Sequence, residues 1–134
     1  MDSSKNIFLV CWCVLVLGGC STVLSCDDGR DVRWFSSPTE HMLNNGIKSY
    51  EDGNYAVSMT TLQELIDNKE AANSQRVEAY KYMAFMHCLS AREKMCRDSF
   101  KKALEIDVGF NLSPAEAGHP VWGPVFNSVK KTAK

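Results

Sequence analysis

The chain has 134 residues, 45% of them hydrophobic, and a formal net charge of −1. This length corresponds to one domain plus a leading segment. Because the charge is close to neutral and no basic patch carries interleaved aromatic residues, the composition gives no reason to expect a nucleic-acid partner.

Residues 1–19 are predicted to be a signal peptide rather than part of the fold. The apolar run over residues 7–17 has eleven residues, whereas a membrane-spanning helix needs about 20, so the run fits the core of a signal peptide. The sequence LGGC that ends at Cys20 resembles the lipobox of bacterial lipoproteins. We therefore predict that Cys20 becomes the first residue of the mature chain and is acylated, with palmitate among its fatty acids.

An uncleaved signal anchor is the alternative, because residues 7–26 carry no charge. Glycine, serine and threonine between residues 18 and 25 make the outer end of that span poorly apolar, which favours the lipoprotein. Ser21 stands where lipoproteins retained in the inner membrane of enteric bacteria carry aspartate. Because Ser21 is not aspartate, this sorting rule favours anchoring at the periplasmic face of the outer membrane, with the inner membrane as the alternative.

Residues 20–38 are predicted to be the acylated N-terminus and a flexible tether. Residues 27–31 are charged and interrupted by glycine, and the sequence Ser-Ser-Pro at 36–38 does not continue a helix. Trp34 and Phe35 are adjacent apolar residues in this tether. They are expected to contact either the domain or the membrane surface. The folded domain is therefore expected over residues 39–131.

That domain is predicted to be all-α, with two helical hairpins and a C-terminal capping helix. The first hairpin spans residues 39–67, and the second joins a mostly apolar helix over 79–91 to an amphipathic helix over 93–107. One constant offset pairs Gly46 with Ala84, Ser58 with Cys96, Leu62 with Phe100, and Leu65 with Ala103. This pattern resembles tetratricopeptide (TPR) repeats, although the offset is about four residues longer than their period of about 34. The extra residues are assigned to the segment 68–74.

The segment after the second hairpin carries strong local signals. Ser113, Pro114 and Glu116 are an N-cap, a proline at the first helical position and a capping glutamate. Gly118 is expected to end this short turn with a positive φ. Pro124 is predicted to begin a last helix over roughly 125–131, which covers the open end of the second hairpin.

No residue pattern indicates catalysis. Glu116 and His119 have the spacing of half a metal site, but a second such pair is missing, so we predict backbone hydrogen bonds in a tight corner instead. His87 is predicted to be a core histidine with satisfied hydrogen bonds. Trp122 is predicted to pack under the capping helix rather than to bind a ligand. We expect no enzymatic activity, no metal and no cofactor.

The cysteines that remain after signal cleavage include Cys88 and Cys96, which an antiparallel helix pair brings close together. A disulfide between them is the favoured interpretation for an oxidising periplasm. Two free, buried cysteines that pack as small apolar residues are the alternative. The role of Cys26 stays open.

A protein-binding surface is predicted along the first helix of each hairpin, which is the concave side of a TPR array. The side chains expected to be exposed there are Asn45, Lys48, Ser49, Tyr80, Lys81 and His87. Substituting Tyr80 and Lys81 should then leave folding unchanged. The alternative is that the tether, through Trp34 and Phe35, fills this groove.

Two stretches carry a closer resemblance. Residues 80–85 (YKYMAF), with the neighbouring cysteines, and above all residues 112–126 (LSPAEAGHPVWGPVF) are similar to the TssQ family of type VI secretion-associated lipoproteins. The resemblance covers roughly residues 42–130 and includes the lipobox. It implies a TPR-like periplasmic lipoprotein, accessory to the contractile secretion machine, with protein components of that machine as partners. A pilotin-like or assembly TPR lipoprotein of another outer-membrane machine is the alternative.

Overall fold

A computed structural model of the protein describes residues 36–133, which form six helices without a strand. In chain order these are α1 (Pro38–Glu51), α2 (Tyr55–Asp67), α3 (Asn73–Leu89), α4 (Glu93–Ile106), α5 (Pro114–Ala117) and α6 (Gly123–Thr132). Within this part of the chain, no helix is long and apolar enough to cross a bilayer. The predicted signal peptide, Cys20, Cys26 and the Trp34–Phe35 pair lie outside the described residues.

The helices pack as two hairpins and a cap, which confirms the predicted all-α helical-hairpin fold. Helix α1 pairs with α2, α3 pairs with α4, and α3 also contacts both helices of the first hairpin. Helix α6 packs on α4. The helix ends follow the constant offset found in the sequence: Glu51 and Leu89 end α1 and α3, and Tyr55 and Glu93 begin α2 and α4.

A glycine allows the two helices of the first hairpin to cross closely. A Cβ atom on Gly46 would lie 2.5 Å from Cδ2 of Leu62, which is fully buried. The hydroxyl of Ser58 donates a 2.8 Å hydrogen bond to the Gly46 carbonyl oxygen at the same crossing. A larger residue at position 46 would therefore push α1 away from α2.

An aromatic cluster fills the space between the second hairpin and the cap. Phe85 on α3 and Phe100 on α4 have ring centroids 6.1 Å apart, and Phe100 lies edge-on to Phe126 of α6 at 5.2 Å. Phe110, from the connection after α4, also lies edge-on to Phe126, with the ring centroids 5.6 Å apart. Each fully buried side chain of this size contributes about 1.5 to 3 kcal/mol, so these contacts hold α6 over the open end of the hairpin.

Two predicted boundaries need correction. Pro38 belongs to α1 rather than to the tether, because Ser37 caps the helix and its hydroxyl accepts a 3.2 Å hydrogen bond from the Glu40 amide. Helix α3 begins at Asn73, not near residue 79. Its first turn is polar, and Gln75 accepts a 2.9 Å hydrogen bond from the Ala72 amide, so capping rather than an apolar pattern defines this start.

The prediction of a positive φ at Gly118 is wrong. Gly118 has φ −76° and ψ −7°, because the chain continues in right-handed turns to His119. Among the described residues, positive φ values occur at Gly53 (77°) and Ala91 (56°). These two residues lie in the turns of the first and second hairpins and are related by the same offset as the helix ends.

Candidate functional site

Residues 113–123, which we call the corner, form a tightly bonded connection into α6. The Ser113 hydroxyl accepts a hydrogen bond from the Glu116 amide, and the Glu116 carboxylate accepts one from the Ser113 amide at 2.9 Å. This capping box matches the sequence prediction. The indole of Trp122 stacks on Phe85 and on His119, and its N–H donates to the Glu116 carbonyl oxygen at 2.9 Å.

The remaining contacts show that the corner is a packing element. Trp122 is only 7% exposed, which confirms the packing interpretation of this residue. His119 accepts a 3.2 Å hydrogen bond from the Val121 amide through Nδ1. A Cβ on Gly123 would overlap the carbonyl oxygen of Ala117, so glycine is required there. Over residues 36–133, no group of three or more histidine, cysteine, aspartate or glutamate side chains could hold a metal ion.

Lys81 joins α3 to the corner. The prediction that this residue is exposed is wrong. Its side chain is buried, and Nζ lies 2.6 Å from a Glu78 carboxylate oxygen and 2.9 Å from one of Glu116. The ammonium also lies 4.7 Å from the centre of the Tyr82 ring. The sequence prediction failed here because the partner, Glu116, is distant along the chain and only the corner brings it to α3.

The two ends of the Lys81–Glu116 pair have shifted pKa values. Burial alone would lower the pKa of Lys81, but hydrogen bonds and charges from Glu78 and Glu116 outweigh it, and the pKa is raised. Burial alone would raise the pKa of Glu116, but hydrogen bonds from Lys81 and Ser113 and the charge of Lys81 lower it. Both shifts favour the charged forms, so the pair is ionised at neutral pH.

The six residues predicted to form a binding surface lie in three different places. Asn45, Lys48 and Ser49 lie on α1, where Lys48 pairs with Asp52 at 3.0 Å. Lys81 is buried against the corner. Tyr80 and His87 lie on a different face of α3, where they line a groove between α2 and α4.

This groove, which we call the α2–α4 groove, is a concave surface formed by three helices of the described chain. Its floor is α3 and its walls are α2 and α4, which do not contact each other. The main part has a volume of about 440 Å³. Three helical rows line it: Tyr55, Met59, Gln63 and Asp67 from α2; Tyr80, Met83 and His87 from α3; Met95, Asp98 and Lys102 from α4, with Arg92 just before that helix.

Methionine dominates the apolar part of the groove. Met59, Met83, Met86 and Met95 line it, which is four of the six methionines in the chain. Met95 is 47% exposed although it lies on the apolar side of α4. Met83 and Met86 are also core residues, whereas Met59 is half-buried and Met95 is exposed. The sequence signal for the groove is the row of residues four apart along α2, which the sequence analysis did not identify.

His87 lies in the floor of the groove and is 3% exposed. Its Nδ1 atom is buried and has no hydrogen-bond partner, so the predicted satisfied histidine is wrong in that respect. Burial and, to a smaller extent, the charge of Arg92 lower its pKa. The imidazole is therefore neutral at neutral pH and retains unused hydrogen-bonding capacity.

A disulfide joins Cys88 near the end of α3 to Cys96 in the first turns of α4, with a Cα–Cα distance of 5.1 Å. Both cysteines are buried. The bridge closes the short connection that contains Ala91 and holds the ends of α3 and α4 together. The α3 floor and the α4 wall of the groove are therefore covalently linked.

Comparison with known proteins gives no match: no protein-family model, curated protein or solved structure matches this chain. What the chain does is therefore inferred from its residues and their arrangement.

Proposed function

We propose that the protein is a non-catalytic accessory lipoprotein of a type VI secretion system, a TPR-like interaction module tethered to the cell envelope. The observation that carries this proposal is the run over residues 112–126, whose similarity to the TssQ family is the most specific feature of the sequence. Ser113, Glu116, Trp122 and Gly123 from this run all make defined contacts in the corner. These contacts give the residues of this run a structural role at the junction between the second hairpin and α6.

The helical hairpins support a role in protein binding. Paired helices whose boundaries recur at one constant offset resemble a TPR array, and such arrays bind segments of other proteins on extended surfaces. Two hairpins are fewer than the three repeats that a solenoid usually needs. Helix α6 packs where a third repeat would lie, through the contact between Phe126 and Phe100 of α4.

Acylation of Cys20 would place this module at the periplasmic face of the envelope, with the outer membrane favoured. Each buried methylene contributes about 0.8 kcal/mol, so several acyl chains give stable residence at the membrane. Confinement raises the effective concentration of the module near envelope partners. A modest affinity for one component of the secretion machine is then sufficient.

Co-isolation from membranes tests this proposal. The full chain with a C-terminal tag, expressed in a bacterium that carries a type VI system, should co-purify with components of that machine after mild crosslinking. The Cys20→Ser variant cannot be acylated and should leave the membrane after a carbonate wash. Recovery of components of a different outer-membrane machine, with none from the type VI system, would contradict the proposal and favour the pilotin-like alternative.

A further inference from the structure

We propose that the α2–α4 groove is the docking site for an amphipathic α-helix of a partner protein, with the apolar face of that helix against Met59, Met83 and Met95. The partner helix is expected to carry cationic side chains along the edge that faces α2. This inference deepens the proposed function and rests on it only for the identity of the machine to which the partner belongs.

The dimensions of the groove suit a short helix. The groove-facing row on α2 runs from Tyr55 to Asp67, which corresponds to about 18 Å along a helix axis. The rows on α3 and α4 have spacings of three and four residues, from Tyr80 to His87 and from Met95 to Lys102. Three such rows form two walls and a floor, and a partner helix of three to four turns matches their length.

The apolar lining suits a helix face rather than a small polar ligand. Methionine side chains are flexible and polarisable, and they adapt to apolar side chains of different shapes. Met95 and Tyr55 are partly exposed at opposite sides of the groove, where nothing within the described chain covers them. A bound helix would remove this apolar surface from water.

The charges of the two walls differ. The α2 wall contributes Glu64 and Asp67 and no basic residue. The opposite wall contributes Arg92 and Lys102, together with Asp98. A helix with lysine or arginine on one flank and acidic residues on the other is complementary to this arrangement, and the asymmetry specifies the rotation of the bound helix about its axis.

Site-specific photocrosslinking in cells tests the docking site. The full chain carries a benzophenone amino acid at position 95, or at position 108 as a control, since Val108 is also apolar and is 68% exposed away from the groove. We expect a crosslink from position 95 only. Mass spectrometry should map it to a segment with apolar residues at spacings of three and four and with flanking lysine or arginine.

A synthetic peptide of the mapped segment then tests the mode of binding. Titrated into the full chain with 13C-labelled methionine methyl groups, the peptide should shift the signals of Met59, Met83 and Met95 and leave Met42 on α1 unchanged. Met95→Asp should weaken binding about tenfold or more, whereas Val108→Asp should not. Glu64→Lys should weaken binding in a salt-dependent way that Glu51→Lys, a charge reversal on α1, does not reproduce.

Three results would overturn the docking site. The first is equal crosslinking from positions 95 and 108, and the second is a crosslinked segment without apolar helical periodicity. The third is a crosslink to this chain itself, which would assign the groove to a second copy or to its own N-terminal segment. A helical partner from another envelope machine would support the groove while contradicting the type VI assignment. The two proposals can therefore fail separately.

Discussion

Lys81 links the second hairpin to the corner through a nearly buried ion pair with Glu116, while Glu78 supplies a second carboxylate. Removing Glu116 leaves the buried Lys81 ammonium with one carboxylate partner, whereas removing Lys81 leaves both carboxylates without their cation, and both changes are destabilising. Replacing Lys81 with glutamate would place three carboxylates together. This substitution is therefore expected to destabilise the fold, contrary to the prediction that Lys81 is an exposed residue whose substitution leaves folding unchanged.

Glu116→Gln tests the ion pair while preserving the shape of the capping box. The glutamine oxygen can still accept the hydrogen bond from the Ser113 amide, but the charge facing Lys81 is lost. We expect the free energy of unfolding at pH 7 to fall by about 2 kcal/mol. Glu105→Gln is the control, because its pair with Lys101 is exposed and 3.8 Å long, and it should change stability by less than about 0.5 kcal/mol.

The pH dependence of the same variant has a defined sign. Because the pKa of Glu116 is lower in the folded state, its contribution is complete above the ordinary carboxyl pKa of 4.5 and is lost as the pH falls through the folded pKa. The difference in stability between wild type and Glu116→Gln should therefore shrink in acid. The lowered pKa of His87 also reduces the stability of the protein as the pH falls below 6.5. This effect is the same in wild type and variant, so it cancels in the difference. A difference that stays constant in urea titrations down to acid pH would contradict the ion pair.

The two hairpin turns show how much of an element can be predicted from local residues. The sequence Asp-Gly-Asn at residues 52–54 is typical of a turn, and Gly53 takes a left-handed conformation with φ 77°. The same conformation occurs at Ala91, where no glycine marks it in the sequence. The start of α3 was missed for a related reason, since Asn73 and Gln75 are polar and an apolar pattern appears only after the first turn.

Ala91→Gly is expected to stabilise the second turn. An alanine in the left-handed region costs about 1 kcal/mol or more relative to glycine, partly offset by the greater freedom of glycine in the unfolded chain. We expect a net gain of about 0.5 to 1 kcal/mol, measured as a higher melting temperature of the oxidised protein. Gly53→Ala at the corresponding position should lower the melting temperature. A lower melting temperature for Ala91→Gly would contradict the strained conformation at this residue.

At the scale of the whole molecule, the hairpins and the cap could be predicted, and the concave surface could not. Apolar periodicity predicted that α3 is buried on several sides, but which side stays open depends on contacts made far along the chain. The corner covers the face of α3 that carries Lys81, and the separation of α2 from α4 leaves Tyr80 and His87 in a groove. Analogy with a TPR array placed the surface on the first helices instead.

If both proposals hold, the groove and the anchor at Cys20 would let the protein bind one helix of an envelope machine near the membrane. The disulfide between Cys88 and Cys96 keeps the floor and one wall of the groove in register. The other wall is held by the close crossing of α1 and α2 at Gly46. The surface that would meet the partner is thus held from both sides by contacts outside it.

Complementation of a deletion strain tests this account most directly. A bacterium with a type VI system and no copy of this chain should lose type VI-dependent killing of competitors, and wild-type protein should restore it. We predict that Val108→Asp restores killing and that Met95→Asp does not, although both variants accumulate to equal levels in the membrane fraction. Full restoration by Met95→Asp, or normal killing without any copy of the chain, would contradict the account.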